Sequence, residues 1–336
     1  MKSKENKPGS GELSSNEFDA KQQPSHDAEL KSLDSYRRSS YSQFGEDGIV
    51  AEILRRLGAQ MSLDMWCAEF GAWDGVYLSN TCRLIRESGY NAVLIEGDPE
   101  RVEELTRNFP QSHVRKICRF VDFEGANTLD AIFSGTEIPR FFDFLSIDVD
   151  GVDYHIFDSL KLYAPKVVCI EFNPTIPNAV DFVQAKDFKV KQGSSAKAIA
   201  RLAREKGYAL VAATACNLIF VDARYMHLVC PIEATLEDVN PQGNHPQYIF
   251  TGYDGTILSN KEEIVLNWHS LPVPISKIQF LPRGLRKFYG DYSNARWIYF
   301  ALFMVARMPR QIFRYRKEAM DRLLNEVRTR FVTRHH

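Results

Sequence analysis

The stretch Cys67-Ala68-Glu69-Phe70-Gly71-Ala72-Trp73-Asp74-Gly75 carries an apolar run straight into a turn punctuated by two glycines. Trp66 to Phe70 reads as a short buried strand. Beyond it, Gly71 and Gly75 let the backbone turn tightly and come close to a ligand. Ser79-Asn80 can then begin a helix whose free N–H groups and positive dipole end face the same crevice. Such a turn also occurs in many open α/β proteins for purely steric reasons, so its meaning depends on what flanks it.

Outward from this loop, β-like runs alternate with helical patterns, as a doubly wound sheet with crossover helices requires. The predicted strands are Trp66 to Phe70, Ala92 to Glu96, Val114 to Val121, Phe142 to Asp148, Val167 to Phe172, Tyr208 to Ala213 and Asn217 to Val221. Ile49 to Leu57 has apolar residues at helical spacing. Asp98-Pro99 offers an N-cap and first-turn proline to a helix over Glu100 to Asn108, and Ser194 a cap to Ala196 to Lys206, with Gly207 closing it. Only about three residues part Ala213 from Asn217, too few for a crossover helix, so the last two strands should form an antiparallel hairpin. The expected fold is α/β: a Rossmann-like seven-stranded sheet with a terminal antiparallel hairpin, then an irregular accessory region and C-terminal helices.

In such a sheet, ligands bind beyond the carboxyl ends of the strands. The second strand ends in Glu96, about 20 residues after the glycine loop, where a carboxylate accepts both ribose hydroxyls of a nucleoside cofactor. The plain alternative is a solvated acid at a strand end. Asp122, after the third strand, is placed to accept from an adenine amino group or to cap the next helix. Both a nicotinamide dinucleotide and S-adenosylmethionine suit these acids. The spacing Gly71-x-x-x-Gly75, with Glu69 ahead of it, departs from the dinucleotide fingerprint G-x-G-x-x-G, and no second mononucleotide half follows. The terminal hairpin also suits a seven-stranded methyltransferase sheet better than a dehydrogenase.

The run AEFGAWDGVYLSNTCRLIRESGYNAVLIEGDPERVEEL, with FLSIDVDGVDYHIF and GYALVAATACNLIFV after it, resembles the FkbM-type methyltransferases. The similarity is to a branch with an SQ-x-GED segment before the first strand, present here as Ser42-Gln43-Phe44-Gly45-Glu46-Asp47, and it covers residues 40 to 225. It implies an S-adenosylmethionine-dependent O-methyltransferase acting on a hydroxyl of a sugar, glycan or related metabolite. It further implies that Glu69, Gly71, Asp74, Gly75 and Glu96 line the cofactor, with Asp122 near the adenine. Asn80 follows the same loop, Asp148 is a candidate for the methionine amino group, and Gln43 a candidate for cofactor or substrate contact. Capping of the helix Ile49 to Leu57 would account for one of the acids Glu46 and Asp47, but not for Gln43.

A second concentration of chemistry lies at the fourth strand, in Ser146-Ile147-Asp148-Val149-Asp150-Gly151 followed by Asp153 and His155. The fifth strand answers with Glu171 and Asn173, which alternation puts on one side. Asp148, Glu171 and Asn173 are a candidate oxygen ligand set for Mg²⁺, which would acidify a substrate hydroxyl. Catechol-type methyltransferases are similar here by position. Asp148, Asp150 and His155 are the catalytic candidates, with His155 as the base because neutral imidazole is available near pH 7. Plainer roles stand beside these: Asp153 as a helix cap, Asn173-Pro174 as a strand end, and His155 as a structural histidine. The D-x-D-G string also occurs in haloacid-dehalogenase phosphatases, but there it opens the fold, and a glycosyltransferase D-x-D would leave the glycine loop and Glu96 without a role.

The 336 residues have a globular composition and a net charge of -1, which gives no general attraction to nucleic acid. That neutrality hides an asymmetry, since residues 283 to 336 hold 13 Lys or Arg against 4 Asp or Glu. The six cysteines occur singly, which favours neither a zinc site nor a disulfide framework. Residues 1–36 are polar and expected to be disordered, 37–225 to form the cofactor-binding domain, 226–290 an irregular accessory region and 291–336 a basic helical tail. No signal-peptide pattern opens the sequence, so the expectation is a cytoplasmic protein. The helical pattern from Trp297 to Phe331, apolar and then basic, suits an anionic membrane surface at the inner face; packing on the domain or on a second copy of the chain is the alternative. A rival to the enzyme reading is a catalytically silent methyltransferase-like module at a membrane. No motif in 226–336 assigns an acceptor.

Overall fold

The computed structural model describes residues 32–240 and 247–309. Its centre is a seven-stranded sheet built from β1 (Trp66–Phe70), β2 (Asn91–Glu96), β3 (Val114–Cys118), β4 (Phe144–Ile147), β5 (Val167–Glu171), β6 (Tyr208–Ala213) and β7 (Asn217–Asp222), in the order β3-β2-β1-β4-β5-β7-β6. The first five strands run parallel, and β7 is antiparallel to both β5 and β6, as expected from the short connection. Helices α2 (Cys82–Ser88), α3 (Pro99–Asn108), α4 (Leu129–Ser134), α5 (Asp153–Ser159) and α6 (Ala196–Glu205) make the crossovers and, with α1 (Glu46–Gly58) ahead of the sheet, cover both faces.

Successive strand residues point to opposite faces, so each apolar strand feeds two cores. Ala68, Phe70, Val93, Ile95, Leu145 and Ile147 pack with residues of α4, α5 and α6. Cys67, Ala92, Leu94, Phe144 and Cys169 pack with residues of α1, α2 and α3. β4 ends one residue before the predicted Asp148, because the N–H groups of Val149 and Gly151 turn to the Asp153 carboxylate, both at 2.9 Å. The cap of α6 is Ser195, whose Oγ accepts from Ala198 N at 3.2 Å, and not Ser194, whose backbone carbonyl accepts from Asn173 N at 2.9 Å.

Order begins earlier than the composition implied. Leu33–Tyr36 forms a 3-10 turn with Leu33 buried, and Arg37 Nη2 donates to the Ala213 carbonyl at 2.6 Å. Gly48 permits this packing, since a Cβ there would overlap the Tyr36 carbonyl. The rest of the segment 1–36 lies outside the described residues.

After β7 come the short helices α7 (Met226–Val229) and α8 (Leu236–Val239), then an accessory module. The module contains two antiparallel hairpins, β8 (Ile249–Thr251) with β9 (Ile257–Ser259) and β10 (Glu263–Leu266) with β11 (Leu271–Pro274). The expected irregularity is therefore only partial. Gly255, at φ 76°, closes the first hairpin, whose Gly252 N donates to Thr256 O at 2.8 Å. Helices α9 (Ile275–Ile278) and α10 (Asn294–Arg307) follow, the latter capped by Ser293. α10 takes up the apolar opening of the predicted C-terminal helix, and residues 310–336 lie outside the described residues. Among the described residues no helix is long and apolar enough to cross a membrane.

Candidate cofactor and acceptor site

The loop after β1 is pressed against the end of β4. Gly71 has φ 72°, and a Cβ there would overlap the Asp148 carbonyl, so both conformation and space demand glycine. Glu96, at the end of β2, holds the loop from the side: its Oε2 accepts from Trp73 N at 2.8 Å and its Oε1 from Asp98 N at 2.9 Å. It remains only partly buried. Asp74 Oδ1 accepts from Val76 N and Tyr77 N at 2.9 and 2.7 Å, which shapes the turn, and Gly75 seats it against Leu105 and Phe109. Trp73 is 47% exposed, with the Arg101 guanidinium stacked 4.0 Å from its ring centre.

Two of the expected cofactor contacts lie beneath this loop. Glu69 is buried; it accepts from Ser79 Oγ and Thr81 Oγ1 at 2.6 Å and from Asn80 N at 2.8 Å. Burial raises its pKa, and those hydrogen bonds oppose the rise. Asn80 is likewise buried, its Nδ2 donating to Ser146 Oγ at 3.0 Å. Because residues 79–81 are folded back onto Glu69, α2 starts only at Cys82. Glu69 and Asn80 thus build the floor that carries the glycine loop. Asp122 is exposed, its Oδ1 accepting from Phe123 N at 2.6 Å.

The SQ-x-GED segment acts as a clamp. Asp47 Oδ2 accepts from the N–H groups of Ser40, Tyr41 and Ser42 at 2.7, 2.7 and 2.9 Å. Glu46 accepts from Phe44 N at 2.8 Å, from Asn217 Nδ2 at 3.1 Å and from Thr214 Oγ1. The clamp leaves Gln43 exposed beside Cys216 Sγ, 3.9 Å away, at the strand edge where Asn217 pairs with Glu171.

The acids after β4 and β5 converge. Asp148, Asp150 and Glu171 each offer a carboxylate oxygen within 4.8 Å of the others. Burial, then repulsion from Asp153 and Asp150, pushes Asp148 up to about 8. Burial, then repulsion from Asp148, Asp153 and Asp150, pushes Glu171 up to about 9, with Lys191 pulling the other way. Asp153 is buried and rises to about 6, the backbone donors of Gly151, Val149 and Asp153 itself resisting the effect of burial. Asp150 adopts φ 56°, an uncommon conformation outside glycine.

Asn173 does not join the acids, since its Oδ1 accepts from Thr175 N and Thr175 Oγ1 at 2.9 and 2.7 Å. The oxygen set that fits a hard cation is therefore Asp148, Asp150 and Glu171, not the expected Asp148, Glu171 and Asn173. His155 is also placed differently from expectation. Its Nε2 lies 2.8 Å from the Gln184 carbonyl and so donates there, with Phe123 and Tyr154 edge-on to its ring.

Beside the acids lies a cavity of about 320 Å³ whose wall includes Asp150, Glu171, Lys191, Trp268 and His269 but not His155. Trp268 and His269 come from the link between β10 and β11, nearly a hundred residues beyond Glu171. Local sequence carried no motif for them, and only the tertiary fold brings them here. A larger cleft of about 650 Å³ lies away from the acids, between α6 and α8.

No protein-family model matches the chain, and no curated protein matches its sequence. Among solved structures it is similar to the CMeT domain of the citrinin polyketide synthase, at 11% identity and a TM-score of 0.37, over 55% of this chain and 54% of that domain. It is also similar to a SAM-dependent methyltransferase from Aquifex aeolicus, at 12% identity and a TM-score of 0.32, over 56% of this chain and 94% of that one. A third likeness is to TrmK of M. capricolum in complex with S-adenosyl-homocysteine, at 11% identity and a TM-score of 0.31, over 51% and 67% of the two chains. The chain thus spans about half the length of the first of these.

Proposed function

We propose that the chain is an S-adenosylmethionine-dependent O-methyltransferase of FkbM type, acting on a hydroxyl of a sugar, glycan or related metabolite. The observation that carries this reading is the position of Asp148. Its backbone closes on the glycine loop, while its carboxylate belongs to the acidic cluster beside the cavity. Asp148 thus links a crevice suited to a nucleoside with the acids Asp150 and Glu171, which line a cavity suited to a small polar acceptor. Gly71, Trp73 and Glu96 would hold the cofactor, which when bound supplies an electrophilic methyl group. Asp148, pushed up to about 8 by burial and its acidic neighbours, takes the proton of the acceptor hydroxyl in its ionised form. Trp268 offers a flat apolar face to a sugar ring, and Asp150 and Glu171 offer acceptors for its hydroxyls.

Calorimetry with S-adenosylhomocysteine tests the reading. Saturable binding that Glu96→Ala weakens at least about tenfold in a folded variant is expected. Absence of binding to the full chain sinks it. Methyl transfer from labelled cofactor to a set of nucleotide sugars and glycans then identifies the acceptor. The closeness of the three carboxylate oxygens favours a second reading of the proton step, in which Mg²⁺ held by Asp148, Asp150 and Glu171 acidifies the hydroxyl. Methylation unchanged by a chelator removes that version and leaves the first.

A further inference from the structure

Helix α10 turns an apolar stripe outward. Its 14 residues include no acid, and their only charges are Arg296 and Arg307. Ile298, Leu302 and Val305 recur at helical spacing and are 63%, 63% and 58% exposed. The opposite side already has partners: Phe303 meets Phe280 edge-on at 5.4 Å, Trp297 meets Tyr292 at 5.1 Å, and Arg296 Nε donates to the Gly284 carbonyl at 3.0 Å. Among the described residues the helix is thus anchored to its own module through one side and bare and apolar on the other. A surface helix in water normally shows the reverse, its polar face outward.

We propose that this face docks on an anionic membrane surface, lying in the plane of the headgroups. A helix of 14 residues is about 21 Å long, too short to span the hydrocarbon core but ample to lie along it. Charge selects this occupant. Residues 283 to 336 hold 13 Lys or Arg against 4 Asp or Glu, and Arg310, Arg314, Arg316 and Lys317 follow the helix directly in sequence. Anionic headgroups complement that excess, whereas a second copy presenting the same face would set like charge against like. Phe288 and Tyr289, 46% and 49% exposed on the same module, suit the headgroup level where aromatic rings collect. Docking does not depend on the methyl-transfer reading, but the same module lines the acceptor cavity through Trp268 and His269, so it would bring that cavity to a lipid-borne acceptor.

Flotation of the full chain with phosphatidylcholine vesicles, with and without about one third phosphatidylglycerol at about 0.1 M salt, tests the proposal. The protein is expected to float with the anionic vesicles and not with the neutral ones. The double variant Ile298→Glu, Leu302→Glu is expected to lower the bound fraction at least about tenfold while its thermal unfolding matches the parent, since both side chains are exposed. No flotation of the parent, or equal flotation of the variant, overturns the proposal. So does a concentration-dependent dimer that the variant abolishes without any vesicle binding, which would assign the face to a second copy. None of these results bears on whether S-adenosylhomocysteine binds.

Discussion

The seven-stranded sheet and the module over residues 247–309 use the same kinds of residue and bury them to opposite extents. β4, β6 and β7 are buried at every position, and β1, β2 and β5 at nearly every one. In the module β8 is exposed throughout, and among its described residues only Leu285 is buried. Ile249, Phe250 and Leu266 are as apolar as Ile95 or Phe144; what they lack is a second layer. Two-stranded hairpins are marginal by themselves, so the module draws its stability from its surroundings. The contrast teaches that the sheet carries its own two-sided core, whereas the module leaves most of its apolar residues at the surface, with the cavity of about 320 Å³ lined from both.

The largest expected effect lies inside the scaffold. Lys166 and Asp143 form a buried pair at 2.8 Å, and Asp143 also accepts from Met65 N at 2.8 Å. Lys166→Met strands a buried carboxylate and should cost about 3–5 kcal/mol by urea unfolding. A loss under about 1 kcal/mol would mean that the scaffold tolerates as much as the module. Gly71→Ala comes next, at about 2–4 kcal/mol, from left-handed strain plus collision with the Asp148 carbonyl. Affinity for S-adenosylhomocysteine should fall at least about tenfold with it, measured by calorimetry.

Glu171→Gln should act in the opposite direction on stability. Between the ordinary carboxyl range near pH 4 and about 9, the folded chain keeps a proton at Glu171 that the unfolded chain has released, so stability falls as pH rises through that window. In metal-free buffer at pH 8 the variant should be about 1–2 kcal/mol more stable and its stability less dependent on pH. Asp150→Asn removes a repelling neighbour of Asp148, so with that change the rising limb of methylation, expected near pH 8, should move to lower pH. A limb that stays in place would take the proton-accepting role from Asp148. The smallest stability effect belongs to the module. Trp268, 70% exposed, should lose less than about 1 kcal/mol on change to Ala, while KM for the acceptor rises about tenfold and cofactor affinity is unaltered.

This division also explains what could be read from the sequence. The central strands β1, β2, β4, β5, β6 and β7 were legible because covered strands are continuous apolar runs, and the hairpin because its connection is too short to cross over; the edge strand β3, with Arg115 and Lys116, ends at Cys118 and not at the predicted Val121. The tight turn at Gly71 was legible because a backbone demand leaves a residue-type signature, whereas the hold of Glu96 on Trp73 N and Asp98 N was not. The floor role of Glu69 was not, since an acid at a strand end looks the same whether it faces a ligand or the 79–81 turn. His155 carried an apparent signal of chemistry and proved to be tied to the Gln184 carbonyl. His269 carried none, because its nearness to Glu171 comes from contacts between distant segments that no local pattern encodes. Ser194 was preferred as a cap over its neighbour Ser195 by a single residue, which side-chain chemistry alone does not resolve.

The clamp formed by the SQ-x-GED segment has a consequence for the order of assembly. Glu46 bonds to Asn217, 171 positions later, and Arg37 to Ala213, 176 positions later. Ala213 ends β6 and Asn217 opens β7, so both partners lie at the far end of the sheet in chain order. The segment that leaves the ribosome ahead of the whole sheet is therefore among the last parts to be secured, after a long loop has closed. The amides of Ser40, Tyr41 and Ser42, all held by Asp47, should accordingly gain hydrogen-exchange protection late in refolding and report on the completion of the sheet.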